Sequence, residues 1–136
     1  MATRRRAREV VLQMLFQLEA SGVTPEQALA SYRECFGEGP LPDEFGVRLF
    51  RDVVARRDEI DRIIVEASAN WRLERMSGVD RNILRIGAHE LGEGSGVPTR
   101  VAINEAVELA KRYGSSDSAA FVNGILDRIA HDESRL

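Results

Sequence analysis

Thr3-Arg4-Arg5-Arg6-Ala7-Arg8-Glu9 runs directly into Val10-Val11-Leu12-Gln13-Met14-Leu15-Phe16. Arg4, Arg5, Arg6 and Arg8 offer one chemistry above others, the neutralisation of an anion through planar forks of N–H donors. They are not carried on a loose tail. Ala7, Val10, Val11, Met14, Leu15 and Leu18 fall at i, i+3, i+4, i+7, i+8 and i+11, one stripe of an amphipathic helix. Cations at a helix N-terminus oppose the macrodipole by roughly 0.3–1 kcal/mol each, and crowded like charges repel further. An external anion would relieve that conflict. Helical rotation places Arg5, Glu9, Gln13 and Phe16 together, roughly opposite the apolar stripe, with Leu12 at the border. Phe16 on that face is either covered by another helix or open to a partner. Arginines with an amide and an aromatic nearby are the composition expected where phosphates are neutralised and unpaired bases stack. The structural alternative is a solvated basic helix start.

Other reactive residues are sparse. His89 and His131 have no carboxylate or cysteine at metal-ligand spacing, and Glu90 beside His89 projects to a different face, so neither a metal site nor a cofactor is expected. Cys35 has no nearby histidine or basic cluster to activate it as a nucleophile. No Gly-rich loop links a strand to a helix, which removes the usual nucleotide cradles. Asn123-Gly124 reads as a close helix packing point, with Asn123 satisfying a backbone group, because glycine inside a helix costs about 1 kcal/mol. Asn104 and Glu105 read as buried hydrogen-bonding or capping residues, and Asp80 as a first-turn acid favoured by the helix dipole.

These residues must be held by a small body. The 136 residues fit one domain, 1–136, with 43% hydrophobic and 30% charged side chains, an ordinary globular balance. Apolar runs are too short for a membrane span, no secretory h-region is present, and the single cysteine excludes an internal disulfide; a cytoplasmic location is the default. The net charge of −3 argues against indiscriminate coating of nucleic acid. Four arginine charges in the first eight residues nevertheless leave the remainder acidic, so a polyanion should be steered to one end of the chain. Lys111 is the sole lysine among 19 basic residues, a bias that a GC-rich genome also produces.

The positioning elements read as helices throughout. The first ends near Ser21-Gly22; Thr24-Pro25-Glu26-Gln27 starts a second with an N-cap, an N1 proline and a capping-box glutamine, running to about Phe36. Gly37 to Pro42 is turn chemistry, and Asp43 caps a segment with Phe45, Leu49, Val53 and Val54 on one face. Ile60, Ile63, Ile64 and Ala67 shift phase near Arg56-Arg57-Asp58, which predicts a break there. Trp71 and Leu73 lie in a connection to Met76, and Ser77-Gly78-Val79-Asp80 opens a helix carrying Val79, Ile83, Leu84, Ile86, Gly87 and Leu91, closed by Glu93 to Pro98. Thr99 caps the next helix, with Ala102, Ile103, Ala106, Val107 and Ala110 inward and Gly114 at C′. Ser115, Ser116 or Asp117 caps the last, which packs Phe121, Val122, Ile125, Leu126 and Ile129. The expected fold is all-α, an irregular bundle of about seven helices.

Three segments carry a family resemblance: Arg4 to Glu9 with Leu12 to Phe16; Val79-Asp80-Arg81-Asn82-Ile83-Leu84-Arg85-Ile86 with Glu90-Leu91; and Pro98 to Gly114 followed by Phe121-Val122-Asn123-Gly124-Ile125-Leu126-Asp127. In order and spacing the chain resembles the bacterial NusB family of transcription antitermination factors over nearly its full length. The resemblance implies a non-catalytic, all-helical RNA-binding factor. Such a factor pairs with ribosomal protein NusE, recognises single-stranded boxA RNA in leader transcripts, including those of ribosomal RNA, and joins an antitermination complex on RNA polymerase. By position, Arg4, Arg5, Arg6 and Arg8, with Gln13, match its RNA-binding start. Ser116, Asp117 and Phe121, in the Gly114-to-Phe121 segment, match a second part of that surface. Phe16 and Asp80 fall where the family meets NusE. Only Met1-Ala2-Thr3 precede the arginines, which shortens the basic arm.

Two other classes compete. One is a helical homodimer whose arginines meet acidic faces such as Asp58-Glu59 or Asp132-Glu133, with salt-sensitive self-association and no RNA preference. The other is a ribosomal RNA cytosine methyltransferase, some of which begin with a NusB-like domain; that enzyme needs a separate cofactor-binding α/β domain and a cysteine nucleophile, which are not expected in a sequence ending at Leu136 unless it is a fragment.

Overall fold

The computed structural model describes residues 3–35, 44–69, 71–92 and 94–132, and every regular element among them is helical. The predicted Asp43 cap, the Gly37-to-Pro42 turn and Glu133 lie outside the described residues. The chain divides into two compact units, Met1–Ala55 and Arg56–Leu136.

In the first unit, α1 (Thr3–Ser21) packs on α2 (Pro25–Cys35) and α3 (Glu44–Ala55). The capping box forms as its spacing requires. Gln27 N–H donates to Thr24 Oγ1 at 3.1 Å while Thr24 N–H donates to Gln27 Oε1 at 2.9 Å, satisfying two orphan donors at the start of α2. Val10, Val11, Met14, Leu29, Leu49, Phe50 and Val53 are buried. The amphipathic reading of α1 needs one correction: Ala7 through Leu12 are buried without interruption, Glu9 included, so this turn is covered on all sides and only Gln13 and Phe16 of the expected polar face beyond Arg5 are exposed.

The second unit begins at the predicted break. Arg56, at φ −102° and ψ 14°, interrupts the helix between α3 and α4 (Arg57–Ala67). Its guanidinium donates to His89 Nδ1 at 2.9 Å and to Glu59 Oε1 at 2.7 Å. That hydrogen bond and charge hold the Glu59 carboxyl below the usual carboxylate range. A 3-10 turn, Leu73–Arg75, leads to α5 (Gly78–Glu90), followed by α6 (Thr99–Tyr113) and α7 (Ser118–His131). Ser77 caps α5 by accepting from Asp80 N–H at 3.0 Å, and Arg81 Nη1 donates to the Leu73 and Met76 carbonyls, fixing the turn against the helix.

Helix α5 touches α4, α6 and α7 and is buried from Asn82 through Ala88. Two of those positions carry polar groups, and both are satisfied. Asn82 Nδ2 donates to the Gly78 carbonyl at 2.8 Å, and Asn82 Oδ1 accepts from Arg85 Nη1 at 3.0 Å. Arg85 closes a bidentate pair with Asp61 on α4, Nε to Oδ1 at 2.8 Å and Nη2 to Oδ2 at 3.1 Å.

Three positions differ from their sequence expectation. Gly87, not Gly124, is the close packing point: a Cβ at Gly87 would lie 2.6 Å from Leu126 Cδ1, whereas one at Gly124 meets nothing within 4 Å, and Asn123 and Gly124 are both exposed. Asn104 is exposed and Glu105 half-buried, because α6 turns Ala102, Ala106, Leu109 and Ala110 inward instead. Pro98 holds the N-cap of α6 at ψ 143° and at φ −60°, the φ that its ring pre-sets, so Thr99 is the first helical residue.

Candidate nucleic-acid interface

The arginines of α1 occupy four different settings. Arg4 and Arg5 are exposed at the start of the helix. Arg6 is exposed and pairs with the buried carboxylate of Glu9 at 3.2 Å. Arg8 is only 4% exposed. Its guanidinium carbon lies 5.1 Å from the centroid of the Phe45 ring, and that of Arg4 lies 4.6 Å from the same centroid. The charge that an external anion meets is therefore that of Arg4, Arg5 and Arg6, with Arg8 packed beneath. No acidic residue sits in the first turn, and Glu9 in the next one offsets part of this charge through Arg6. Further along α1, Gln13 is exposed and Phe16 is 45% exposed.

In the second unit, Ser116 and Asp117 are exposed in the segment that enters α7, and Asp117 stands at its N-cap without a side-chain capping bond. Phe121, one turn into α7, meets Trp71 edge-to-face, with centroids 6.2 Å apart and an interplanar angle of 66°. Trp71 is 53% exposed. Sequence reading placed Trp71 only in a connection, and its pairing with a residue 50 positions later left no local signal. Asp80 lies half-buried in the first turn of α5; its Oδ1 is shielded from solvent and accepts no hydrogen bond from the described residues.

The entry segment is held by a tight approach at Gly114. This residue is extended, at φ −94° and ψ −170°, rather than left-handed as a C′ glycine would be. What requires glycine is space: a Cβ there would collide with the Ser118 side chain and lie 2.8 Å from the Ala110 carbonyl oxygen. Ser118 is buried, and its Oγ accepts from Ser115 N–H at 2.9 Å. Gly114→Ala is expected to destabilise the fold by about 1–3 kcal/mol through this overpacking. Chemical denaturation would measure it, and a variant as stable as the parent would refute the steric argument.

Among the described residues the regular elements are all helical, with exposed guanidinium groups in one unit and, in the other, exposed Trp71 against half-buried Phe121, which defines an all-helical binding protein. The NusB family model matches residues 5–131, and the chain belongs to the NusB family. That family consists of non-catalytic transcription antitermination factors. The chain is 47% identical over 134 residues to the transcription antitermination protein NusB of Myxococcus xanthus (strain DK1622), covering 96% of each. A solved structure of T. maritima NusB superposes with a TM-score of 0.83 at 40% identity, covering 95% of this chain and 91% of that one. A crystal structure of antitermination factors NusB and NusE in complex with double-stranded RNA matches with a TM-score of 0.84 at 27% identity, covering 96% and 97%.

Proposed function

We propose that this chain is a cytoplasmic antitermination factor that binds single-stranded boxA-like RNA in leader transcripts, including ribosomal RNA leaders, together with ribosomal protein NusE, within an RNA polymerase antitermination complex. The observation that carries the reading is the exposure of Arg4, Arg5 and Arg6 on a helix whose next turn is buried, which fixes three phosphate-binding groups to a rigid support. Gln13 adds an amide to that end, and Arg8 supports it from below. Ser116 and Asp117 supply hydroxyl and carboxylate acceptors for base edges, and Phe121 with Trp71 supplies aromatic faces for bases freed from stacking. Aromatic faces of this kind need unpaired bases, which favours a single strand over a duplex. Phe16 and Asp80 are the proposed contacts with NusE, the first as an exposed aromatic anchor and the second as a carboxylate at a helix start.

The test is a titration with boxA-like RNA, a scrambled strand and a duplex, with and without NusE, at two salt concentrations. Trp71 is the only tryptophan, so its fluorescence reports base stacking directly. The expected result is sequence-selective, salt-sensitive binding that NusE strengthens and that quenches Trp71. Salt-sensitive self-association without RNA preference would instead favour the homodimer.

A further inference from the structure

Arg4 and Arg8 stand four residues apart, one turn of α1, and both guanidinium groups approach the ring of Phe45 on α3 within the same compact unit. Two cations on one ring repel each other, and the electron-rich ring face is what draws them there. The two differ in what they can still do. Arg8 is buried, so its charge is committed to the interior; Arg4 is exposed. A guanidinium carries all five donors in its plane. When its flat face rests on an aromatic ring, the donor edges stay available to a planar or tetrahedral anion.

We infer that Phe45 is a positioning residue for phosphate binding by Arg4. The inference rests on the RNA-binding reading above and deepens it. Phe45 holds the Arg4 guanidinium over its ring before RNA arrives, so the side-chain freedom that a loose arginine would lose on binding is already lost. Phe45 itself touches no RNA in this arrangement.

The experiment compares the parent chain with Phe45→Leu, Phe45→Tyr and a chain carrying pentafluorophenylalanine at position 45, each titrated with boxA-like RNA at several salt concentrations. Leucine removes the ring, tyrosine keeps its electron-rich face, and the fluorinated ring keeps a similar shape while reversing its quadrupole. Phe45→Leu and the fluorinated chain are expected to bind about three- to tenfold more weakly, with the salt slope reduced by up to about 0.7, the value of one single-strand phosphate. Phe45→Tyr should bind as the parent does. Arg4→Ala should cost less in the fluorinated chain than in the parent, because the fluorinated chain has already lost the pre-organised part of the Arg4 contact. The fluorinated chain keeps the test valid if Phe45→Leu fails to fold.

Parent-like binding by the fluorinated chain overturns the inference, as does equal weakening by tyrosine, which would mark a packing role. A parent chain that binds no RNA overturns the RNA-binding reading itself, a result distinguishable from either.

Discussion

Replacing Arg85 with methionine is expected to lower folding stability by about 3 kcal/mol, a large part of the roughly 5–15 kcal/mol that a domain of this kind has. Arg85 is 4% exposed and binds both oxygens of Asp61 as well as Asn82 Oδ1. Methionine fills similar volume but returns none of those donors, so a largely desolvated carboxylate and a fully buried amide each lose a partner. Arg57 Nε, 3.8 Å from Asp61 Oδ2, partly compensates from the exposed side, which keeps the expected loss at the lower end for a broken buried pair. Urea unfolding reads it as a lower midpoint with an unchanged m-value. Asp61→Leu combined with Arg85→Met should recover part of the loss, since removing both charges also removes the uncompensated one. A single-variant loss below about 1 kcal/mol would show that the pair does not organise α4 against α5.

Alanine at Arg4, Arg5 and Arg6 together is expected to weaken boxA-like RNA binding at least tenfold at low salt and to lower the salt slope by about 2, at roughly 0.7 per single-strand phosphate. The structure dictates which arginines belong in this test. Arg8 is excluded because it is buried, so its loss would disturb packing as well as charge. Arg6 needs a control, because its removal takes a partner from the buried Glu9 carboxylate. The Arg4→Ala, Arg5→Ala double variant leaves that pair intact, and its slope should fall by about 1.4 with unchanged helicity. Unaltered affinity in a folded double variant would remove the α1 arginines from the RNA surface.

Local signals carried most of the fold. The Thr24-to-Gln27 box, the phase change at Arg56 and the helix start at Ser77 each need only a few neighbouring residues, and each appears where spacing places it. Readings went astray where the answer depended on what lies across from a residue. Gly124 and Gly87 look alike in sequence, but only Gly87 faces Leu126. Glu9 sits on what rotation marks as a polar face, yet the turn from Ala7 to Leu12 is covered on that side too. Gly114 was recognisable as a helix end, while the collision that demands glycine comes from Ser118 in the next helix. The candidate interface shows the same division. The arginine run was plain from composition, whereas the settings of individual members, Arg6 on Glu9 and Arg4 and Arg8 at Phe45, required the fold. The pairing of Trp71 has no local signal because its partner Phe121 lies far along the chain.

The first turn of α1 draws its exposed positive charge from guanidinium groups alone, with neither lysine nor histidine among residues 3–8. A guanidinium is planar and more weakly hydrated than an ammonium. An anion docking on this turn thus displaces less tightly held water than it would from ammonium groups and meets donors fixed in a plane, which makes the turn a directional grip rather than a diffuse cloud of charge.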